Sequence, residues 1–121
     1  GALSQEVEGR VTINGHTYDF KSGGYGRGNL PPGTYTVSMP QSTNELGMVR
    51  DGVGFSAALT NKYDARVGDT RSGLFIHPDG NVPGTLGCIG IQGDATKLRQ
   101  MRADLEAECR RHGGSFTLRV G

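Results

Sequence analysis

Between Ser72 and Gln92 the chain reads SGLFIHPDGNVPGTLGCIGIQ, two short apolar runs joined by the ten-residue linker PDGNVPGTLG. Pro, Gly, Asp and Asn each favour turns over regular structure, so this linker is expected to reverse the chain and lay the two runs side by side. Runs this short, Leu74-Phe75-Ile76 and Cys88-Ile89-Gly90-Ile91, read as buried strands. The first ends in His77 and the second begins with Cys88. Pairing the runs therefore brings an imidazole and a thiol within reach of each other.

The remaining sequence predicts what those strands pack against. Asn14-Gly15 between β-formers predicts a hairpin of Arg10–Ile13 and Thr17–Phe20, because both residues tolerate the positive φ of a type I′ turn. His16, beside that turn, reads as a solvated surface residue. Lys21 to Tyr35 reads as an irregular Gly- and Pro-rich loop that turns into a strand from Thr34 to Met39. From Pro40 to Arg71 the pattern is weaker, with Phe55–Thr60 as a strand and turns at Arg50-Asp51-Gly52 and Asn61-Lys62. A helix begins at the N-cap Asp94, with Leu98, Met101, Leu105, Cys109 and His112 on one face. Arg99, Asp104, Glu106, Glu108, Arg110 and Arg111 fall on the opposite, solvated face, and Gly113-Gly114 ends the helix. A last strand, Ser115–Val120, alternates Phe116, Leu118 and Val120 with polar residues. The expected fold is a single β-rich α+β domain, residues 1–121, with a small, mainly antiparallel, sandwich-like sheet and one C-terminal helix.

Composition narrows the function classes. The net charge is +1, from 13 basic and 12 acidic residues without a one-signed block, so no nucleic acid is expected as partner. No run approaches the roughly 18 apolar residues of a membrane span. The start, GALSQEVEGR, lacks the apolar core of a signal peptide, so the chain is expected to be cytoplasmic or to take its address from elsewhere. The 21 glycines without a Gly-X-Y period fit short strands and many turns.

Cysteine chemistry is the sharpest functional reading. Cys109 sits on the apolar helix face, the place of a core residue. Cys88 follows Gly87 at a turn-to-strand junction, where an imidazole can stabilise its thiolate and the N–H groups of Gly87 and Cys88 can form an oxyanion hole. Spacing alone leaves open a plainer alternative, with His77 a turn histidine and Cys88 a small core residue. A zinc site is disfavoured because His16, His77, His112, Cys88 and Cys109 lack close-paired ligand spacing. A disulfide between Cys88 and Cys109 would consume the nucleophile.

Two separated segments carry a family resemblance. Ile76-His77 followed by Thr85-Leu86-Gly87-Cys88-Ile89 resembles the signature of YkuD-type L,D-transpeptidases. Ser22-Gly23-Gly24 with Leu30-Pro31-Pro32-Gly33-Thr34-Tyr35 resembles that family's strand-entry segment. Leu86 stands where the main family has a second histidine and Gly90 where it has arginine, and the linker is shorter. In these respects the chain is similar to a compact branch, the type VI secretion effectors resembling L,D-transpeptidases and their phage-associated relatives.

The resemblance implies that Cys88 attacks a peptidoglycan stem tetrapeptide at the carbonyl after the L-centre of diaminopimelate, with His77 as base. A thioester forms as D-Ala leaves, and water, a free D-amino acid or a second stem resolves it. Arg71 and Arg27 are candidate carboxylate binders, with Tyr25 and Thr85 as further substrate-binding residues of the same segments. Asp79 is a local candidate for orienting His77, a task that a backbone carbonyl performs in the family. No metal and no cofactor is implied. The implied partners are stem peptides and an immunity protein, for a monomeric chain delivered by a secretion system to the periplasm and cell wall. The alternative reading is a non-catalytic wall-binding or phage structural module that retains the scaffold.

Overall fold

The computed structural model describes residues 6–23, 29–80 and 88–121. In chain order its elements are β1 (Glu6–Ile13), β2 (His16–Gly23), β3 (Gly33–Ser38), β4 (Gln41–Ser42), a 3-10 turn (Leu46–Met48), β5 (Val49–Arg50), β6 (Val53–Ala58), β7 (Lys62–Asp64), β8 (Asp69–Arg71), β9 (Phe75–Pro78), β10 (Ile89–Ile91), α1 (Ala95–Arg111) and β11 (Ser115–Val120). The β-rich α+β fold with its one helix near the C-terminus agrees with the expectation from sequence.

Asn14 and Gly15 take φ of 51° and 82°, the left-handed pair a type I′ turn demands, and so fix the register of β1 on β2 from Ile13↔His16 out to Glu6↔Gly23. Asp51 and Gly52, at 51° and 78°, repeat the device between β5 and β6. The main sheet runs β1-β2-β10-β9-β6-β4, with β5 also on β6, and every pairing is antiparallel except β10 on β9. β11 pairs with β3 in a second, two-stranded sheet, linked to the main one by the bridge Val37↔Leu59, and β7 with β8 forms a separate hairpin.

Alternation along the strands sorts the two faces. In β2, Tyr18 and Ser22 are buried while Thr17 and Asp19 face water. Ile76, Ile89, Ile91 and Phe55 turn inward with Tyr18, and Leu98, Met101 and Leu105 of α1 close over them, each at most 1% exposed. Each such aliphatic side chain contributes roughly 1.5–3 kcal/mol by leaving water. Asp94 caps α1 by accepting from Lys97 N at 2.9 Å. Gly113 and Gly114 leave the helix at φ of 79° and 123°, and Gly114 N donates to Cys109 O.

Two expectations for this region, for Asp104 and His112, are corrected. Asp104 does not face solvent: it is 5% exposed and accepts from the Tyr18 hydroxyl, from His16 Nδ1 at 2.8 Å and from Asn14 Nδ2 at 3.1 Å. His16 lies at the surface as expected but is also paired, and the hairpin turn is pinned to the helix. His112 leaves the apolar face at the C-cap and is exposed beside Glu108. Among the described residues no buried side-chain nitrogen or oxygen lacks a partner.

Replacing Asp104 with Ala strands the buried Tyr18 hydroxyl and removes the hairpin's anchor. It is expected to lower unfolding stability by about 3 kcal/mol in urea titration, whereas Glu106→Ala, on the solvent side, stays within about 0.5 kcal/mol.

Candidate active site

The β9–β10 ladder pairs Ile89 with Ile76, Gly90 with His77 and Ile91 with Pro78. Because successive side chains alternate faces, the inward Ile76, Ile89 and Ile91 send His77, the bare Gly90 and Cys88 to the other face together. Cys88 stands just before β10, diagonal to His77, with Cα atoms about 8 Å apart from strand rise and spacing. His77 lies within β9 rather than at its end, and the two strands run parallel. His77 is 4% exposed and Cys88 5%.

The histidine is held in one tautomer. Its Nδ1 lies 2.7 Å from the Pro78 carbonyl oxygen, which can only accept, so Nδ1 carries the proton and Nε2 keeps its lone pair. Burial pushes the imidazole below its usual value near 6.5, against the raising effects of the Pro78 carbonyl, Asp79 and Glu45. A neutral base is what this environment maintains. Asp79 does not take the orienting contact: its Oδ2 accepts from Gln92 Nε2 at 2.7 Å, and Gln92 also reaches Gly90 O at 3.1 Å. Overhead, Gly80 N donates to Gly47 O at 3.2 Å, and a Cβ on Gly80 would sit 2.7 Å from Leu46 O. The 3-10 turn can therefore lie against the chain just after His77.

The thiol is neutral at rest. Cys88 Sγ donates to Gly73 O at 3.6 Å, a carbonyl presented by a left-handed residue with φ of 63°. Burial raises the thiol above its usual value near 9, opposed by a hydrogen bond from the Phe75 backbone and by the charge of Arg71. Cys88 and Cys109 are both free, and Cys109 lies in the core with its thiol on Val37 O at 3.8 Å.

Arg71 reaches this site through a buried carboxylate. It is 7% exposed, and its Nη1 donates to Asp64 Oδ2 at 3.0 Å. Asp64, 2% exposed, also accepts from Arg66 Nε and Nη2, both at 2.9 Å, while Arg66 Nη1 and Nη2 grip Asn29 Oδ1 and O at 2.8 and 2.6 Å. Hydrogen bonds from Arg66 hold the Asp64 carboxyl down to about 2, against the cost of its burial. This clasp fixes the chain at Asn29, where Leu30 N also donates to Ser22 Oγ at 3.0 Å. Asp64, Gly73, Gln92 and the Pro78 carbonyl were not singled out from sequence, and apart from the two arginines that follow Asp64, two and seven residues on, nothing in the pattern flags them. Tyr25, Arg27, Thr85, Leu86 and Gly87 lie outside the described residues. Among the described residues no three His, Cys, Asp or Glu side chains cluster to hold a metal.

A β-rich α+β domain with a cysteine and a tautomer-locked histidine on one face of neighbouring parallel strands defines the class structurally. Sequence comparison supplies the family: the chain belongs to the Tlde1 domain family, whose model matches residues 14–112, from the first hairpin turn to the end of the helix. It is thereby a type VI secretion effector domain. No curated protein and no solved structure matches the chain. No helix of the described residues is long and apolar enough to cross a membrane.

Two measurements check this electrostatic arrangement. Iodoacetamide alkylation of Cys88, in a Cys109→Ala background, should have its midpoint above pH 9, since burial holds the proton on sulfur. A plateau near pH 7 would instead signal a resting thiolate–imidazolium pair. Asp64 is ionised in the fold down to about 2 but only to about 3.8 when unfolded, so the stability it supplies is complete above 3.8 and lost as pH falls through 2. Asp64→Asn should flatten the acid-unfolding curve over that window and cost about 3–5 kcal/mol at neutral pH.

Proposed function

We propose that this domain is a cysteine acyltransferase of the L,D-transpeptidase type acting on peptidoglycan stem tetrapeptides, with Cys88 as nucleophile and His77 as general base. The observation that carries this reading is the placement of His77 and Cys88 on one sheet face with His77 Nε2 unprotonated. The sequence resemblance to the L,D-transpeptidase signature and membership of the effector family support it further.

His77 Nε2 takes the Cys88 proton as Sγ swings from Gly73 O and attacks the carbonyl carbon after the L-centre of diaminopimelate. The developing oxyanion is met by the backbone N–H of Cys88, together with that of Gly87. The carbon–nitrogen bond then breaks, and the imidazolium returns its proton to the departing amine of D-Ala. What remains is a thioester on Cys88. Water attacking it, with His77 again as base, releases the tripeptide acid and regenerates the thiol, which is L,D-carboxypeptidase chemistry. A free D-amino acid attacking instead gives exchange, and the amine of a second stem gives a crosslink.

Arg71 serves in this scheme as a fixed cation beside the nucleophile, with Arg27, Tyr25 and Thr85 as further substrate contacts. As an antibacterial effector the domain acts on the wall in the periplasm of a recipient cell, and a producing cell is protected by an immunity protein.

Purified domain incubated with disaccharide tetrapeptide should release D-Ala, followed by mass spectrometry. Cys88→Ala should reduce release at least a thousandfold, on the scale of losing a covalent nucleophile, and Cys109→Ala should leave the chemistry intact. Equal release by the Cys88 variant would refute the assignment of the nucleophile, and no release by the wild type would favour a non-catalytic wall-binding module.

A further inference from the structure

β1 lies at one edge of the main sheet: β2 pairs with it on one side, and among the described residues no strand pairs with it on the other. Its neighbours fix which backbone groups face that open side. Asp19 turns its carbonyl toward β10, where it accepts from Gln92 N at 2.9 Å, so Arg10 and Asp19 are opposed in the β1–β2 ladder without exchanging hydrogen bonds. Alternation then directs the N–H and C=O of Glu8, Arg10 and Thr12 outward, and those of Val7, Gly9 and Val11 to β2. From Glu8 to Thr12 the strand thus presents a row of donors and acceptors of the kind to which another strand adds.

The side chains select which strand. Around Gly9 the sequence reads Val7-Glu8-Gly9-Arg10-Val11, an acid and a base flanked by valines. Glu8 and Arg10 are exposed on the outer face. Val7, 38% exposed, and Val11 lie on the inner face, beside a groove of about 270 Å³ that runs past Phe20 to Leu118 and Val120 of β11. Let a second β1 run antiparallel with the two Gly9 residues opposed. Glu8 of each copy then faces Arg10 of the other, and Val7 of each faces Val11 of the other above the grooves. Glu8 and Arg10 both turn their backbone groups outward, so each of these pairs can exchange two hydrogen bonds. Moving the centre by one residue opposes Glu8 to Glu8 or Arg10 to Arg10, which like-charge repulsion disfavours. Intermediate registers set outward groups against inward ones. At the centre the backbones meet without side chains, since a Cβ on Gly9 would stand 2.7 Å from Phe20 Cζ, the ring already filling that place. Arg10 lies 3.5 Å from Asp19 through Nε, both side chains mostly in water, and the rest of its guanidinium can donate to a second carboxylate.

We propose that β1 pairs antiparallel with β1 of a second copy of this chain about a two-fold axis at Gly9, in place of the monomer that the family resemblance implies. The pairing joins two main sheets into one and leaves β9 and β10, beyond β2, outside the interface. It does not depend on the acyl-transfer reading. A single added strand pair is a small interface, so the dimer forms at high protein concentration rather than in dilute solution.

Sedimentation velocity tests it. The wild type should pass from a 12.8 kDa species in dilute solution to one of twice that mass as the concentration approaches about 1 mM. Glu8→Arg and Arg10→Glu each oppose like charges, and each alone should raise the dimer dissociation constant at least about tenfold. Mixed in equal amounts the two variants should associate again, because every opposed pair is once more acid against base, and this recovery shows that both remain folded. Hydrogen exchange reads the register: on dimerisation the amides of Glu8, Arg10 and Thr12 should slow at least about tenfold, while those of Val7, Gly9 and Val11, already bonded to β2, keep their rates. A wild type that stays monomeric at about 1 mM overturns the proposal. So does a dimer that neither variant weakens, an association lost in both variants and not recovered in their mixture, or a dimer in which the outward amides of β1 gain no protection.

Discussion

The parallel pairing of β9 with β10 is the constraint on which the site depends. Ile76, Ile89 and Ile91 cannot leave the core without exposing large apolar surface, and their inward orientation turns His77, Gly90 and Cys88 outward together. A slip of one residue in this ladder would send the imidazole into the apolar interior and an isoleucine to the reactive face. The register is therefore enforced by hydrophobic burial, and the geometry of the candidate site follows from it.

Two buried carboxylates tie the periphery to that ladder. Asp104 gathers Tyr18, His16 and Asn14 and so fastens the first hairpin to the helix that covers the sheet. Asp64 gathers Arg66 and Arg71 and so links the β7–β8 hairpin, the chain at Asn29 and the surroundings of the thiol. Each carboxylate is desolvated, and each is compensated by several donors rather than by one, the condition under which burial of a charge is tolerated. With little apolar sequence and no tryptophan, the domain uses these polar hubs where a larger core would use side-chain packing.

Much of this was legible in the sequence because it is local. Asn14-Gly15 encodes its own turn, Asp94 its own cap, and the three- and four-residue apolar spacing its own helix face. The linker from Pro78 to Gly87 correctly signalled that two apolar runs lie side by side, but its composition says nothing of strand direction, and the pair proved parallel. Asp104 was misassigned because helical spacing gives only its angular position; its partners lie more than 80 residues away on another element. Asp64 and the Pro78 carbonyl were invisible for related reasons: the first depends on a hairpin that brings Arg71 back to it, and the second is a backbone atom that every residue possesses.

The resting site is poised rather than charged. Its thiol is protonated and turned to Gly73 O, and its imidazole is neutral with Nε2 unprotonated, so the proposed reaction requires the proton to pass from sulfur to nitrogen as a substrate carbonyl arrives. In the proposed reaction the cysteine stays quiet until a stem peptide is bound. The central claim is that the reaction runs through a thioester on Cys88, and trapping that species tests it most directly. Acid-quenched intact-mass and peptide-level spectrometry of the domain mixed with tetrapeptide should show an adduct of the tetrapeptide less D-Ala on the peptide containing Cys88. Product formation with no adduct at Cys88, or with the adduct on another residue, would contradict the account.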